Sequence, residues 1–486
     1  IIYMMAKKAD VLFEVSWEVC NKVGGIYTVV KSKAAKMVEA YNDNYFLIGP
    51  YFASKAIGQF QEEIPKDFCK APFEEMRKIG IICHYGKWLI EGMPSVILID
   101  FVNYRSRIND IKRELWEWYK IDSLMAPADY DEPVAWAYTA GMLIEKLSKC
   151  YEGKKIAAHF HEWLSGTGLL YLKKKNSRTS TVFTTHATVL GRALASSNVD
   201  LYSVWGKINP EQEAYKYNIE AKHLVEKNSA AFADVFTTVS EITGMEGLHL
   251  LKKKPDVLLP NGLDISKFPS FEEVILKHKL QRDRIREFML YYFFPYYTFD
   301  PKETLIYFLA GRYEFHDKGI DIYIKALDKL NEKMKQEKSR KTIIAFIWVP
   351  ASFRNIRPEL LENKTLYQDI KDALEEVHDD VDKNIIYDFV SDKKITKESL
   401  FDNEFLTEMK IRIARFVKKG KPPLLTHDLY DVNDTILNAI KSANLKNDEE
   451  DKVKIIYYPI YLSGADGLLN LNYYEAMQGS HLGIFP

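Results

Sequence analysis

The chain has 486 residues, of which 47% are hydrophobic and 13% are aromatic, a composition that fills large cores and excludes a disordered protein. Its 67 Lys and Arg residues balance 68 Asp and Glu residues, so neither nucleic acid nor an anionic membrane is an expected partner. Because one hydrophobic core rarely grows to this length, we expect two domains with a ligand cleft between them.

The four cysteines, Cys20, Cys69, Cys83 and Cys150, show no C-x-x-C spacing and have no paired histidine nearby. This pattern predicts neither a zinc site nor a disulfide framework, and it fits a reducing cytoplasm. The apolar start at 1–6 is too short for a secretory signal, and no apolar run reaches the roughly 18 residues of a membrane span. We therefore expect a cytoplasmic protein.

Short runs of β-branched and aromatic residues alternate with amphipathic stretches along the first half of the chain. Such runs are typical of buried parallel strands in βαβ units. They lie at 11–15, 45–50, 95–101, 156–161, 180–186, 234–240 and 256–260. We expect these strands to form a Rossmann-like domain over residues 1–265.

The second half repeats the pattern with strand-like runs at 304–311, 342–350, 454–459 and 481–486. They predict a second doubly wound sheet, over residues 266–486. Apolar residues recur with a period of about 3.6 after Gly319 and predict a helix over 320–338, packed on that sheet.

Charged helical stretches at 364–380 and 404–419 lie within a segment too long for one crossover. We expect residues 358–420 to form a helical insertion that projects from the second domain and holds a homo-oligomer together. A helical excursion folded back on its own domain is the alternative.

A glycine turn, Asn21 to Gly25, follows the first predicted strand and precedes a helical segment. Two glycines allow a close approach of the backbone, and the helix N-terminus offers unpaired N–H groups to a phosphate. The dinucleotide pattern G-x-G-x-x-G is absent. An ordinary turn is the alternative to a phosphate site.

The loop at 311–319 directly follows a predicted strand and carries Arg312 and Lys318. Doubly wound sheets bind ligands at the carboxyl ends of their strands. A guanidinium and an ammonium group there would suit a diphosphate leaving group, whose charge grows as its bond to the sugar breaks.

Two histidine motifs end neighbouring strands of the first half, His159 to Trp163 and Thr185-His186. No third ligand at a fitting spacing accompanies the His-x-His pair, so we expect no metal. The indole of Trp163 beside the carboxylate of Glu162 offers the stacking face and hydroxyl acceptor that sugars bind, although a buried tryptophan is equally ordinary there.

Eight segments carry motifs that occur together in one known family. They are VSWEVCNKVGGIYTVVKSKA at 15–34, DNYFLIGPY at 43–51, HFHEWLSGTGLLYLKKK at 159–175, VFTTHATVLGR at 182–192, FTTVSEIT at 236–243, LLPNGLDISKF at 258–268, LAGRYEFHDKG at 309–319 and HLGIFP at 481–486. In this order they resemble the animal and fungal type of glycogen synthase. The resemblance covers nearly the whole chain and is weakest from about 360 to 450.

The resemblance implies a B-type glycosyltransferase fold, in which two Rossmann-like domains close on a cleft. It implies transfer of glucose from UDP-glucose to the non-reducing end of an α-1,4-glucan with retention, and neither a metal nor another cofactor. It also implies a homo-oligomer, with a tetramer favoured, and leaves a glycogen-priming protein open as a further partner.

Carried over residue by residue, the resemblance implies that Lys22, Gly24 and Gly25 lie near the donor phosphates. His186 then meets the transferred glucose, and Arg192 lines the same pocket. More loosely, Glu162 and Trp163 resemble an acidic and aromatic pair on the acceptor side.

The remaining carried-over residues concern the nucleotide. Asn261 corresponds to a donor-site asparagine, and Arg312 and Lys318 correspond to the pair that neutralises the diphosphate. Tyr473 corresponds to the residue that stacks on uracil, and His481 is expected near the nucleotide.

In the family, the HLGIFP motif runs on into a segment with two active-site glutamates, which would follow Pro486. We expect the natural chain to continue into that segment. If it ended here, a catalytically inactive glucan-binding relative would be the better interpretation. An enzyme that uses ADP-glucose is the other alternative, because Tyr473 could stack on either base.

Overall fold

The first unit contains one large sheet. A computed structural model describes residues 8–197, 199–262, 265 and 268–484, and the chain divides into compact units at 1–265 and 266–486. The strands of the first unit are β1 (Val11–Val15), β2 (Tyr45–Pro50), β3 (Phe60–Glu62), β4 (Ile82–Trp88), β5 (Ser95–Asp100), β6 (Ile156–His161), β7 (Ser180–Thr185), β8 (Val235–Thr238) and β9 (Val257–Leu258).

Their order across the sheet is β3, β4, β5, β2, β1, β6, β7, β8, β9. At one edge, β4 pairs antiparallel with both β3 and β5. All other neighbouring strands of this sheet, from β5 to β9, pair parallel. All seven strands predicted in this half are confirmed. β3 and β4 were not predicted, because polar residues such as His84 and Lys87 interrupt their pattern.

Helices cover this sheet on both faces. They are α1 (Gly25–Tyr41), α2 (Ala53–Ala56), α3 (Asp67–Arg77), α4 (Ile108–Tyr119), α5 (Ala128–Lys149), α6 (Glu162–Lys174), α7 (Val189–Ser196), α8 (Leu201–Val204), α9 (Pro210–Lys216), α10 (Glu220–Phe232) and α11 (Glu241–Leu250). Short 3₁₀ turns lie at Asn42–Asn44 and Val102–Arg107.

Alternate residues of β1 belong to different cores, as the strand period of two requires. Phe13 packs in a cluster with Trp136 of α5, whereas Leu12 packs in a cluster with Val30 of α1. Burial on both faces explains the continuous apolar run of this strand. Strand order reverses between β1 and β6, and such a reversal is where doubly wound sheets bind ligands.

The second unit has a smaller parallel sheet. Its strands are β10 (Thr304–Ala310), β11 (Thr342–Trp348), β12 (Phe353–Ile356), β13 (His427–Leu429), β14 (Val453–Tyr458) and β15 (Leu482–Ile484). β14, β11, β10 and β15 form the sheet in that order, and β12 and β13 form a separate antiparallel pair. The four strands predicted in this half are confirmed, except that residues 485–486 lie outside the described residues.

The helices of this unit also pack on both faces of the sheet, and the predicted fold class of doubly wound units is confirmed. They are α12 (Phe271–Phe293), α13 (Ile320–Gln336), α14 (Pro358–Glu376), α15 (His378–Val390), α16 (Lys397–Leu400), α17 (Asn403–Phe416), α18 (Thr435–Ser442) and α19 (Tyr473–Gly479), with a 3₁₀ turn at Pro301–Glu303. Among the described helices, none has the length and apolar character needed to cross a membrane.

The predicted helical insertion comprises α14 to α17 and lies between β12 and β13. Leu360 and Phe416, near its two ends, belong to the core of the second unit. Its middle helix α15 instead exposes Phe389 (72%) and Val390 (82%). The base of the insertion therefore folds back on its own unit, while its tip carries apolar surface.

Candidate functional site

A cavity of about 490 Å³ opens in the first unit beside the ends of β6 and β7. Its wall contains His159, His161 and His186, Lys33 and Lys36 from α1, and the turn after β9 that carries Asn261, together with Val29, Ser32, Thr184, Val239, Leu259, Pro260, Gly262 and Ile265. The structure thus brings together two residues predicted for the donor site, His186 and Asn261.

A buried carboxylate, Glu14, lies behind this cavity. Glu14 is on the face of β1 that packs towards α1, where Lys33 forms an ion pair with it. The hydroxyl of Tyr45 donates a hydrogen bond to the same carboxylate, and Nε2 of His161 lies 2.7 Å from its Oε1 atom. Nδ1 of His161 lies 3.0 Å from Nε2 of His186. A chain of contacts therefore runs from Lys33 to His186.

Burial alone would raise the pKa of Glu14, but Lys33 and the two neighbouring histidines outweigh it and hold that pKa well below its usual range. Burial lowers the pKa of His161, and Lys33 lowers it further against the opposing effect of Glu14. Burial, His161 and Lys33 lower the pKa of His186 to about 3. Glu14 is therefore a carboxylate, and both histidines are neutral near pH 7.

Glu14, His159 and His161 place their ligand atoms within 4.8 Å of one another, close enough to hold a metal ion. The sequence alone does not indicate that Glu14 lies beside these two histidines. The ammonium group of Lys33 already supplies positive charge to this carboxylate, and Nε2 of His159 lies 2.6 Å from the hydroxyl of Thr184. The absence of a metal stays a prediction, and these contacts favour it.

Glu162 begins α6 with a left-handed φ of 63°, a conformation that costs a non-glycine residue about 1–3 kcal/mol. Its Oε1 atom accepts the backbone N–H groups of His186 at 3.0 Å and Ala187 at 3.3 Å. The guanidinium of Arg192 lies 3.4 Å from the same oxygen. The carboxylate thus holds the loop that carries His186, a role that the sequence alone does not indicate.

Trp163 is half-buried and lies parallel to Tyr130, with ring centroids 6.1 Å apart. The ammonium of Lys222 lies 5.4 Å from its indole ring. The indole ring therefore has protein neighbours nearby, and an acceptor role for Glu162 and Trp163 stays a prediction.

Two more buried carboxylates hold the same loop. Glu226 of α10 accepts the N–H of Val189 at 2.9 Å, and Glu246 of α11 accepts the N–H of Thr188 at 3.3 Å. With Glu162, they bind four consecutive N–H groups, from 186 to 189. Burial raises the pKa of Glu226 well above its usual range, and the nearby Glu162 carboxyl adds to this shift.

The glycine turn precedes α1, as predicted. The carboxylate of Glu18 accepts the N–H groups of Gly24 at 2.7 Å and Tyr27 at 2.9 Å, so part of the helix N-terminus already has a protein acceptor. A Cβ atom on Gly25 would meet nothing within 4 Å, which leaves the backbone there open to a ligand. Lys22 is exposed beside the turn.

In the second unit, Arg312 and Lys318 lie in the loop that joins the carboxyl end of β10 to α13. Nη2 of Arg312 lies 3.0 Å from a carboxylate oxygen of Glu314. The aliphatic part of the Lys318 side chain packs against Gly311. A Cβ atom added to Gly311 would lie 3.5 Å from Cγ of Lys318. Gly319 ends the loop with a left-handed φ of 59°. Strand order reverses between β10 and β15, so these cations lie at the expected ligand position of this sheet.

His481 occupies the opposite end of that sheet. It directly precedes β15, and its Nδ1 atom accepts the N–H of Ile306, near the start of β10, at 3.0 Å. Because β15 runs parallel to β10, His481 lies at the amino end of the strands, whereas Arg312 follows their carboxyl end. The structure therefore does not bring His481 together with Arg312 and Lys318, and a place for His481 near the nucleotide stays a prediction.

Tyr473 is the first residue of α19, the helix that leads back to β15. Its ring is half-buried and packs against the core of the second unit. One ring neighbour is Tyr474, whose centroid is 5.5 Å away. A stacking role for Tyr473 stays a prediction.

These features define an α/β protein of two doubly wound units, each with polar and cationic residues at the carboxyl ends of parallel strands. Residues 14–486 match the glycogen synthase family, and the chain belongs to that family.

Relatives from distant organisms share this similarity. The chain is 40% identical over 481 residues to a glycogen [starch] synthase of Dictyostelium discoideum, covering 98% of this chain and 54% of that protein. It is 37% identical over 478 residues to the human liver glycogen [starch] synthase, covering 98% of this chain and 68% of that one. The chain thus spans about half to two thirds of these relatives' length.

One solved structure that matches the chain is the catalytic domain of starch synthase IV from Arabidopsis thaliana bound to ADP and acarbose. Its TM-score is 0.41 at 14% identity, and the match covers 71% of this chain and 69% of that one. This likeness is too distant to bear on function.

Proposed function

We propose that the protein is a retaining glucosyltransferase that moves glucose from UDP-glucose to the non-reducing end of an α-1,4-glucan. The observation that carries the proposal is the match of residues 14–486 to the glycogen synthase family. The cavity shared by His186 and Asn261 supports it, because both residues were expected at the donor site.

The leaving group in this reaction is a nucleoside diphosphate. Arg312 and Lys318 would neutralise its growing charge from the loop after β10, since cationic donors already in position stabilise a transition state with no cost of rearrangement. We propose that these side chains replace a metal ion, and that no cofactor takes part. Activity that persists in excess EDTA would support this, and restoration by added Mg²⁺ alone would oppose it.

His186 acts as a neutral imidazole, because its pKa lies near 3. It would contact the transferred glucose through a hydrogen bond, without bringing a positive charge next to an oxocarbenium-like carbon. We propose that the acceptor hydroxyl attacks the face that the diphosphate leaves, which retains the configuration.

The choice of donor is tested by competition. The full natural chain is supplied with UDP-glucose and ADP-glucose at equal concentration, and the two nucleoside diphosphates released are separated and counted. Release of UDP in large excess supports the proposal. Predominant release of ADP would identify an enzyme of the starch synthase kind, and no release of either would favour a glucan-binding relative without activity.

The partners follow from the same proposal. They are the nucleotide sugar, the glucan, further copies of this chain that meet through the exposed apolar tip of α15, and a glycogen-priming protein. Nucleic acid and membranes are not among them, because the chain has no net excess of basic residues. Four free cysteines fit a cytoplasmic location.

A further inference from the structure

The contacts behind the cavity fix the direction of each hydrogen bond between Glu14 and His186. A carboxylate only accepts hydrogen bonds, so the Nε2 atom of His161, 2.7 Å from Glu14, must carry its proton. A neutral imidazole has one N–H group, which leaves Nδ1 of His161 as an acceptor. The Nε2 atom of His186, 3.0 Å away, must then be the donor.

The opposite direction of the hydrogen bond between His161 and His186 requires only one more proton, on His161. If His161 were an imidazolium, its Nδ1 would donate to Nε2 of His186, and the single proton of His186 would move to Nδ1. A buried carboxylate next to an imidazole normally favours that charged state, because burying a lone negative charge is costly. Here Lys33 forms an ion pair with Glu14, so the carboxylate already has a cation.

We propose that Lys33, acting through Glu14 and His161, is a positioning residue that holds His186 as the tautomer with its proton on Nε2 and a bare Nδ1. The charged groups around His161 are Glu14 on β1 and Lys33 on α1, and the neighbouring imidazoles are those of His159 on β6 and His186 after β7. Of these, Lys33 is the cation that contacts the carboxylate.

The consequence for function rests on the proposed transfer reaction. A bare nitrogen on His186 accepts a hydrogen bond from a sugar hydroxyl and can neither protonate the substrate nor place positive charge beside it. The tautomer would then select a hydroxyl donor at this position of the ligand. Lys33 lies in the wall of the same cavity, and it contributes by setting the charge of His161, which is two contacts away through Glu14.

The test compares Lys33→Met, which removes the cation and keeps the length of the side chain, with Lys33→Arg, which keeps the charge. Each full chain is labelled with ¹⁵N and ¹³C in histidine, sedimented and examined by solid-state NMR. The signals of His186 are assigned from those lost in His186→Gln. The nitrogen shifts report which ring atom carries the proton, without any need for activity.

In the wild type and in Lys33→Arg we expect Nε2 of His186 protonated, Nδ1 bare and His161 neutral. In Lys33→Met we expect His161 to be charged and the proton of His186 to move to Nδ1. The inference is overturned by an unchanged tautomer in Lys33→Met. A charged His161 or a protonated Nδ1 of His186 in the wild type would overturn it equally. This second outcome is measured on the wild type alone, so it does not depend on whether a variant folds.

Kinetics supply a second readout. At about pH 7, Lys33→Met should lower kcat/KM about 10-fold relative to Lys33→Arg, the effect of one hydrogen bond. The ratio of kcat/KM between the two variants should return towards one as the pH rises, because His161 of Lys33→Met then loses its extra proton. A ratio that stays constant with pH contradicts the inference. An inactive wild type that still shows the tautomer switch would refute the transferase proposal alone.

Discussion

Oε1 of Glu162 accepts the backbone N–H of His186 at 3.0 Å, so the first residue of one helix fixes the end of the neighbouring strand. Glu226 and Glu246 bind the next N–H groups along the same loop. The backbone around His186 is therefore held by three buried acids, with Arg192 as a nearby cation. Such a site keeps its geometry when no substrate is bound.

We expect Glu226→Gln to become more stable than the wild type as the pH rises. The folded protein raises the pKa of Glu226 well above its usual range. Its contribution to stability is therefore complete below the unfolded pKa of about 4.3 and is lost as the pH rises through the folded pKa. Glutamine keeps an acceptor oxygen for Val189 and has no charge to gain.

Thermal unfolding from about pH 5 to about pH 9 measures this effect, since this range begins above the unfolded pKa of about 4.3. The difference in Tm between Glu226→Gln and the wild type should grow with pH. Glu39→Gln, at an exposed position of α1, is the matched control and should show no such growth. If the plots of Tm against pH for Glu226→Gln and the wild type run parallel, Glu226 is ionised in the folded protein throughout this range, and the prediction is wrong.

Replacing either cation of the second unit should slow the chemical step. We expect Arg312→Ala and Lys318→Ala each to lower kcat about 10²-fold, as expected when one preorganised donor to developing charge is lost. Steady-state rates at saturating donor measure this. Lys325→Ala, at an exposed position of α13, should keep the wild-type rate. Wild-type turnover in either cation variant would remove the assigned role.

Replacing Tyr473 should weaken binding of the donor and spare turnover. Stacking on the base is equally strong in the ground state and the transition state, so its loss raises KM with kcat nearly unchanged. We expect this for Tyr473→Ala, whereas Tyr473→Phe keeps the ring and should resemble the wild type. A large loss of kcat at constant KM in Tyr473→Ala would contradict the stacking role.

The exposed tip of the insertion should hold the oligomer. Phe389 and Val390 are 72% and 82% exposed, so replacing both with Lys should leave the fold intact and add charge to any interface they form. Light scattering at micromolar concentration should give an oligomer, with a tetramer favoured, for the wild type and a smaller mass for the double variant. An oligomer that survives, or a monomeric wild type, would show that α15 does not hold the assembly.

The sequence predicts the parallel strands because most of them are buried on both faces, as in Val11–Val15. It also predicts Arg312 and Lys318, which directly follow a strand. It does not reveal Glu14, which lies within an apolar run and meets Lys33 and His161 only once strand order is fixed. The position of His481 at the amino end of its sheet is hidden for a similar reason, because the end of the sheet at which a residue lies depends on strand pairing.

Transfer of glucose tests the central claim most directly. The purified full chain is incubated with radiolabelled UDP-glucose and glycogen, and label in the precipitated glucan is followed, with Arg312→Ala as the matched control. We expect label to enter the glucan in α-1,4 linkages, which an exo-acting α-1,4-glucosidase releases, at a rate about 10²-fold above that of the control. No incorporation by the wild type, or equal incorporation by both proteins, would contradict the account.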